Sequence, residues 1–128
     1  MRISEAASYL GVSDDTVRRW IDAGTLPATQ DESGRKGVEG YDVAQVARAH
    51  ARVPEVPGGT ASSARNRFVG IVTDLIVDKV MAQVELQCGP FRVVSLLSAE
   101  AVRDLGLELG SPAVAVIKST NVVIETSP

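Results

Sequence analysis

Two clusters of hydroxyl and cationic side chains bracket the second half of this 128-residue chain. Ser63-Ala64-Arg65-Asn66 opens the segment and Lys118-Ser119-Thr120 closes it. Few other basic residues lie between them. A tetrahedral oxyanion dianion presents only acceptor atoms at neutral pH. A site for one therefore needs compact donors and some positive charge. Hydroxyls and backbone N–H groups donate without bulk, and Arg or Lys adds stronger, charge-assisted bonds. Ser63, Arg65, Lys118 and Ser119 are of these types, and Ser95 and Ser98 add hydroxyls between the clusters. Each also has a plainer reading. Ser98 suits a helix N-cap. Ser119-Thr120 suits an edge strand, and Arg65 and Lys118 suit a solvated surface. Chemistry and spacing by themselves leave these alternatives open.

A second constellation lies near the start. Thr16, Arg18 and Arg19 fall off the apolar stripe made by Val17, Trp20 and Ile21 at i, i+3 and i+4. An exposed arginine can bond guanine bidentately, and a Thr hydroxyl can serve a base or a phosphate. Arg35 and Lys36 sit at the tip of a polar, Gly-rich loop, within reach of a neighbouring phosphate or the minor groove. The plainer reading has Arg18 and Arg19 pairing with Asp14, Asp15 or Asp22 on a solvated helix.

The elements that would carry these residues read as follows. Ala6, Ala7 and Leu10 give a helix over residues 3–10 that Ser4 can cap. Gly11-Val12-Ser13 turns into a second helix, roughly 14–23, capped by Ser13 or Asp14 and ended by Gly24. Helix, Gly-containing turn and helix form a helix-turn-helix layout, with the second helix facing the major groove. Residues 28–40 make a loop or weak two-stranded wing, in which Asp31, Glu32 and Glu39 stand beside Arg35 and Lys36. Asp42 caps a third helix, with Val43, Val46 and Ala47 on one side. Residues 54–61 are a linker by composition. From Arg67 onward the period becomes two. Phe68–Val77 is a long β-branched run, and Val80, Ala82, Val84 and Leu86 alternate with polar residues. Gly89-Pro90 turns into a strand from Phe91 to Leu97. A short helix capped by Ser98 ends at Gly106, and strands at Ala113–Ile117 and Val122–Ile124 follow. Short antiparallel strands with one helix suggest a small barrel of the OB type.

Composition is that of a folded globular protein, with 45% hydrophobic and 23% charged residues. Aromatics are only 4%, so the cores rest on Val, Leu, Ile and Ala, and two thin cores favour an oligomer. Net charge is −3; residues 1–60 carry seven Lys/Arg against nine Asp/Glu, so a DNA contact there needs a local basic face or avidity. Cys88 is the only cysteine, which leaves no internal disulfide and no cysteine cluster for zinc. No apolar run reaches the ~20 residues of a membrane span. Together with the absence of a signal-type apolar N-terminus, this gives a cytoplasmic expectation. His50 is the single histidine, read as solvated, and no nucleophile–base pair or carboxylate cluster suggests an enzyme or a bare metal cation.

The order of motifs sharpens both halves. Ile3–Ser13, Thr16-Val17-Arg18-Arg19-Trp20, Gly24-Thr25-Leu26-Pro27-Ala28 and Tyr41–Val46 resemble the MerR-like and excisionase-type winged helix-turn-helix family. Residues Ser63–Val72, Val93–Ser98 with Leu105-Gly106-Leu107, and Ala115–Val122 resemble a Mop (molbindin) domain. Together these imply an α+β chain of two domains: a small helical winged helix-turn-helix over 1–53, a linker over 54–61, and an OB-like β-barrel of Mop type over 62–128. The second resemblance implies that molybdate or tungstate binds at subunit interfaces of a homo-oligomer, as dimers or trimers of dimers. Its ligands map to Ser63, Arg65, Ser95, Ser98, Lys118 and Ser119. Many relatives have Thr at the position of Ser98 and a hydroxyl where Val94 stands. The first resemblance implies double-stranded DNA as partner, through Thr16, Arg18, Arg19, Arg35 and Lys36. The expected function is a one-component transcriptional regulator controlled by the oxyanion. A storage or buffering protein is the alternative, and a DNA-binding adaptor that has lost its ligand is a third.

Overall fold

The computed structural model describes residues 1–52 and 62–127. The chain divides into two compact units, Met1–Arg52 and Val53–Pro128. The linker expected at 54–61 lies outside the described residues.

In the first unit, α1 spans Ile3–Leu10, α2 Asp14–Asp22 and α3 Gly40–His50. A two-stranded wing of β1 (Thr29–Gln30) and β2 (Lys36–Gly37) separates α2 from α3. Helix α1 ends at Gly11, whose φ of 68° and bonds to the Ala7 and Ser8 carbonyls close the helix in the left-handed conformation that glycine adopts freely. Ser13 then caps α2 by accepting from the Thr16 N–H at 3.1 Å. Ile3, Ala6, Ala7, Val17, Leu26, Val38, Val43 and Val46 form the core, and Trp20 packs against it.

Three local expectations change. Ser4 does not cap α1; the N-cap is Arg2, extended at φ −75° and ψ 156° because its backbone bridges to Gly37 of the wing. Asp42 does not cap α3 either; the helix starts at Gly40, which leaves Asp42 inside the first turn near its positive end. His50 is not simply solvated: its ring stacks on Trp20 with centroids 4.7 Å apart, tying the end of α3 to α2.

The wing tip is held by Asp31. Its carboxylate accepts from the Ser33 hydroxyl at 2.7 Å and from the Ser33 and Arg35 N–H groups at 2.9 Å. Led by the Ser33 hydroxyl, these bonds hold its carboxyl below the usual Asp value. An acid that stands among the cations of the wing is thus the residue that shapes it. A carboxylate held low stabilises fully above the ordinary Asp range, and that contribution is lost as pH falls through the lowered value.

The second unit is one antiparallel sheet in the order β5-β4-β3-β6, curled into an OB-like half-barrel. Its strands are β3 (Asn66–Val77), β4 (Met81–Cys88), β5 (Phe91–Ser98) and β6 (Pro112–Ile117), with α4 at Ala99–Leu105. Strand β3 pairs with β6 through its first half and with β4 through its second. The β3–β4 ladder is interrupted once. A register shift between Val72 and Asp74 inserts Thr73, so Phe68 and Val72 face inward before it and Leu75 after it. Val72, Ala82, Val84, Leu86, Cys88 and Val102 form the core. Asp78 shapes the β3–β4 turn by accepting from the Val80 and Met81 N–H groups at 2.8 and 2.7 Å.

The strand expected at Val122–Ile124 is absent. A 3₁₀ turn at Ser119–Asn121 follows β6, and beyond it Val123 and Ile124 are 83% and 81% exposed and pair with no strand among the described residues.

Candidate functional site

The β3–β6 ladder places the two hydroxyl-and-cation clusters side by side. Asn66 is the register partner of Ile117, so Arg65 and Lys118 leave the same end of the sheet on neighbouring strands. The Asn66 side-chain amide fixes this seam by donating to the Ile117 carbonyl at 3.1 Å. Ala64 is buried and anchors the segment, while Ser63, Arg65, Lys118 and Ser119 are all exposed. The Arg65 guanidinium donates to the Ser63 carbonyl at 3.2 Å, which folds it back over its own segment. Neither Arg65 nor Lys118 has a carboxylate partner among the described residues. Their charges are available to a ligand.

Ser95 and Ser98 come from another edge. Strand β5 pairs only with β4, where Ser95 faces Val84 and Ser98 faces Met81. Ser95 lines a mainly apolar cleft of about 460 Å³ whose other wall is β6, including Val116 and Ile117. Ser98 stands at the far end of β5, and its hydroxyl accepts from the Ala101 N–H at 3.0 Å to cap α4. Accepting that bond leaves its O–H free to donate, so capping and anion binding do not compete. Val94 is on the opposite face from Ser95, opposite Glu85 in the register. Sheet register thus joins Ser63, Arg65, Lys118 and Ser119 in one group and leaves Ser95 and Ser98 on a separate strand.

Ser98→Ala is expected to lose the α4 cap, at about 1 kcal/mol of stability, and Ser98→Thr to keep it. Urea unfolding of the pair checks this, and an alanine variant with the wild-type midpoint would refute it.

In the first unit the candidate DNA-contacting residues part into two groups. Thr16 bonds with the Ser13 hydroxyl at 3.0 Å and receives the Arg19 guanidinium at 2.9 Å, giving one polar strip on α2. Arg18 instead pairs with Asp15 at 3.5 Å and lines a cleft with Arg35 and Lys36 of the wing. Arg2 lines that cleft as well. Nothing in the sequence periodicity marks Arg2; the backbone bridge to Gly37 brings it there.

No helix among the described residues is long and apolar enough to cross a membrane. No group of three or more His, Cys, Asp or Glu side chains among them is arranged to hold a metal ion.

Comparison with known proteins matches both units. Residues 62–124 fit the TOBE domain model, and residues 1–38 fit a helix-turn-helix domain model. Molybdenum-pterin-binding protein 3 of Clostridium pasteurianum is 41% identical over 63 residues, which are 48% of this chain and 93% of that protein. The molybdenum transport protein ModE of Herbaspirillum seropedicae is 36% identical over 66 residues, 51% of this chain but only 24% of that protein. Among solved structures, a molybdate-binding protein from Sporomusa ovata matches with a TM-score of 0.50 at 24% identity, over 52% of this chain and 100% of that one. At that identity the likeness speaks for the fold alone. Through residues 62–124 the chain belongs to the TOBE-domain (Mop) family, here preceded by a helix-turn-helix domain.

Proposed function

We propose that this protein is a one-component transcriptional regulator that binds molybdate or tungstate between copies of its Mop unit and contacts duplex DNA with its helix-turn-helix unit. The observation that carries the oxyanion reading is the Asn66–Ile117 register, which sets Arg65 and Lys118 together, exposed and without carboxylate partners among the described residues. Two cations offset a dianion, and Ser63 and Ser119 add hydroxyl donors. Such a group surrounds only one side of a compact anion. A second copy can supply the other side, strip water from the ligand and strengthen each hydrogen bond in a lower dielectric.

Assembly has its own support. Strands β5 and β6 are the edges of the sheet, and the cleft between them is lined mainly by Val, Leu and Ala. Val123 and Ile124 of each copy are exposed apolar residues directly downstream. An open edge beside an apolar groove is a surface for strand addition, and the matching apolar segment is that of a second copy. Anion binding at the interface then favours the assembled state by mass action. The attached helix-turn-helix units are brought together with it, and their avidity for DNA rises.

The test is fluorescence anisotropy of operator DNA with and without molybdate. A shift in affinity at saturating oxyanion is expected; unchanged affinity would sink the regulator. A storage protein is the second reading, favoured by the net acidic balance of residues 1–60. It requires high anion stoichiometry with no DNA binding. Calorimetry that finds neither molybdate nor tungstate bound would exclude both readings.

A further inference from the structure

Four of the seven Lys and Arg side chains in residues 1–60 converge on one cleft of about 380 Å³. Arg2 comes from the residue ahead of α1, Arg18 from α2, and Arg35 and Lys36 from the wing. The main chain puts Arg2 there. Its backbone bridges Gly37, and the Val38 N–H donates to the Met1 carbonyl at 2.8 Å. The seam is close: a Cβ on Gly37 would stand 2.8 Å from the Met1 carbonyl oxygen. Arg2 and Lys36 are therefore neighbours by backbone pairing, whatever their side-chain rotamers.

The local charge opposes that of the whole segment. Asp14 is the one carboxylate lining this cleft, against four cations. Among the described residues, the single ion pair of these cations is Arg18 with Asp15, whose side chains are 57% and 92% exposed. An exposed pair of that kind contributes little and yields readily to a better anion. The lining of this cleft is thus net positive within a segment that is acidic overall. Glu5, Asp31 and Glu39 share an adjoining cleft with Arg2, Arg35 and Lys36, and Asp22 another with Arg18 and Lys36.

We propose that this cleft clamps the phosphate backbone of duplex DNA, with Arg2 as a contact residue and Arg18 serving the backbone rather than a base edge. The proposal rests on the DNA-contacting reading given above. Side chains that read base edges bond donors and acceptors laid out in the plane of the base pair. Cations converging from three elements instead surround an anion whose oxygens point in several directions, and such contacts fix register. Arg18 is turned toward α1 and the wing, away from the Thr16–Arg19 strip. That division leaves Thr16 and Arg19 for base edges while the clamp holds α2 in place.

The experiment uses the full chain and a labelled random-sequence duplex, with anisotropy titrations over a salt series. Each phosphate contact contributes about 0.9 to the slope of log affinity against log salt. Arg2→Gln is expected to reduce the slope by about one and to weaken binding roughly fivefold to tenfold in ~0.1 M salt. Lys36→Gln is expected to do the same, and Arg48→Gln on α3, outside the cleft, to change neither. Thermal melting of each variant checks its fold; if Arg2→Gln melts early, Lys36→Gln carries the test. Wild-type slopes in both cleft variants would overturn the clamp and leave DNA binding intact. Failure of the wild type to bind duplex at low salt would overturn both. Displacement of duplex by inorganic phosphate at matched ionic strength, lost in Arg2→Gln, would make the cleft a free-anion site and also overturn the clamp.

Discussion

Gly70→Ala is expected to destabilise the Mop unit by about 2–4 kcal/mol and to abolish its native sheet under mild denaturant. Gly70 lies on β3, opposite Ala113 of β6, two residues before buried Val72. A Cβ there would overlap the Gln87 carbonyl oxygen and stand 2.6 Å from the Cys88 sulfur. Neither neighbour is free to move. Gln87 is backbone in the β3–β4 ladder, and Cys88 is buried and directed at the Phe68 carbonyl. The glycine therefore marks a close approach of the β4 backbone to β3. Urea unfolding followed by circular dichroism reads the loss. Ile71→Ala, at the next position and 52% exposed, serves as the control and should shift stability by less than about 0.5 kcal/mol. Equal midpoints for Gly70→Ala and wild type would show that the strands can separate without cost. Because β3 also carries Arg65 to Lys118, loss of the sheet should remove oxyanion binding as well.

That role of Gly70 marks a limit of what the sequence makes legible. Residues 28–40 read equally as a loop or a wing, while helices α1 and α2, β4, β5 and α4 follow directly from apolar periodicity and punctuation by Gly, Ser and Pro. Strand β3 does not. Phe68–Val77 is apolar nearly throughout, and the Thr73 bulge shifts its inward phase by one residue. An alternation rule reads one phase and cannot place the shift. Val122–Ile124 has the composition of a strand, but composition does not reveal whether a pairing edge exists within the chain. The candidate residues show the same division. Arg65 and Lys118 are legible by type, and their adjacency follows only from the β3–β6 register. Arg2 carries no periodic or motif signal, because its place depends on a backbone bridge to a residue more than thirty positions away. Ser4 and Asp42 have the right side chains for caps, but α1 begins two residues, and α3 three residues, earlier than those side chains require. Local chemistry was readable; what escaped was set by pairings distant in sequence.

Lys118→Ala and Arg65→Gln are each expected to lower molybdate affinity roughly tenfold to a hundredfold, the loss of one charge-assisted bond. Calorimetry measures the affinity, and native mass measures the assembly that the ligand stabilises. A ligand present at a hundredfold its Kd adds about 2.7 kcal/mol to the state that binds it. Either variant should forfeit most of that gain at the same concentration. Mixing experiments separate a shared site from an isolated one. Arg65 and Lys118 leave the same end of one sheet, so in the proposed interface site both are assigned to one chain's half. Ser95 is on β5, the opposite edge strand, and in that proposal is assigned to the half that a second copy supplies. Refolding Arg65→Gln together with Lys118→Ala should therefore give no recovery, since every half-site built on β3 and β6 keeps one defect. Refolding Lys118→Ala together with Ser95→Ala should restore tight binding at a fraction of the sites, where the intact halves of two chains meet. Recovery in both mixtures, or in neither, would mean that these residues do not divide between copies along the two edges of the sheet.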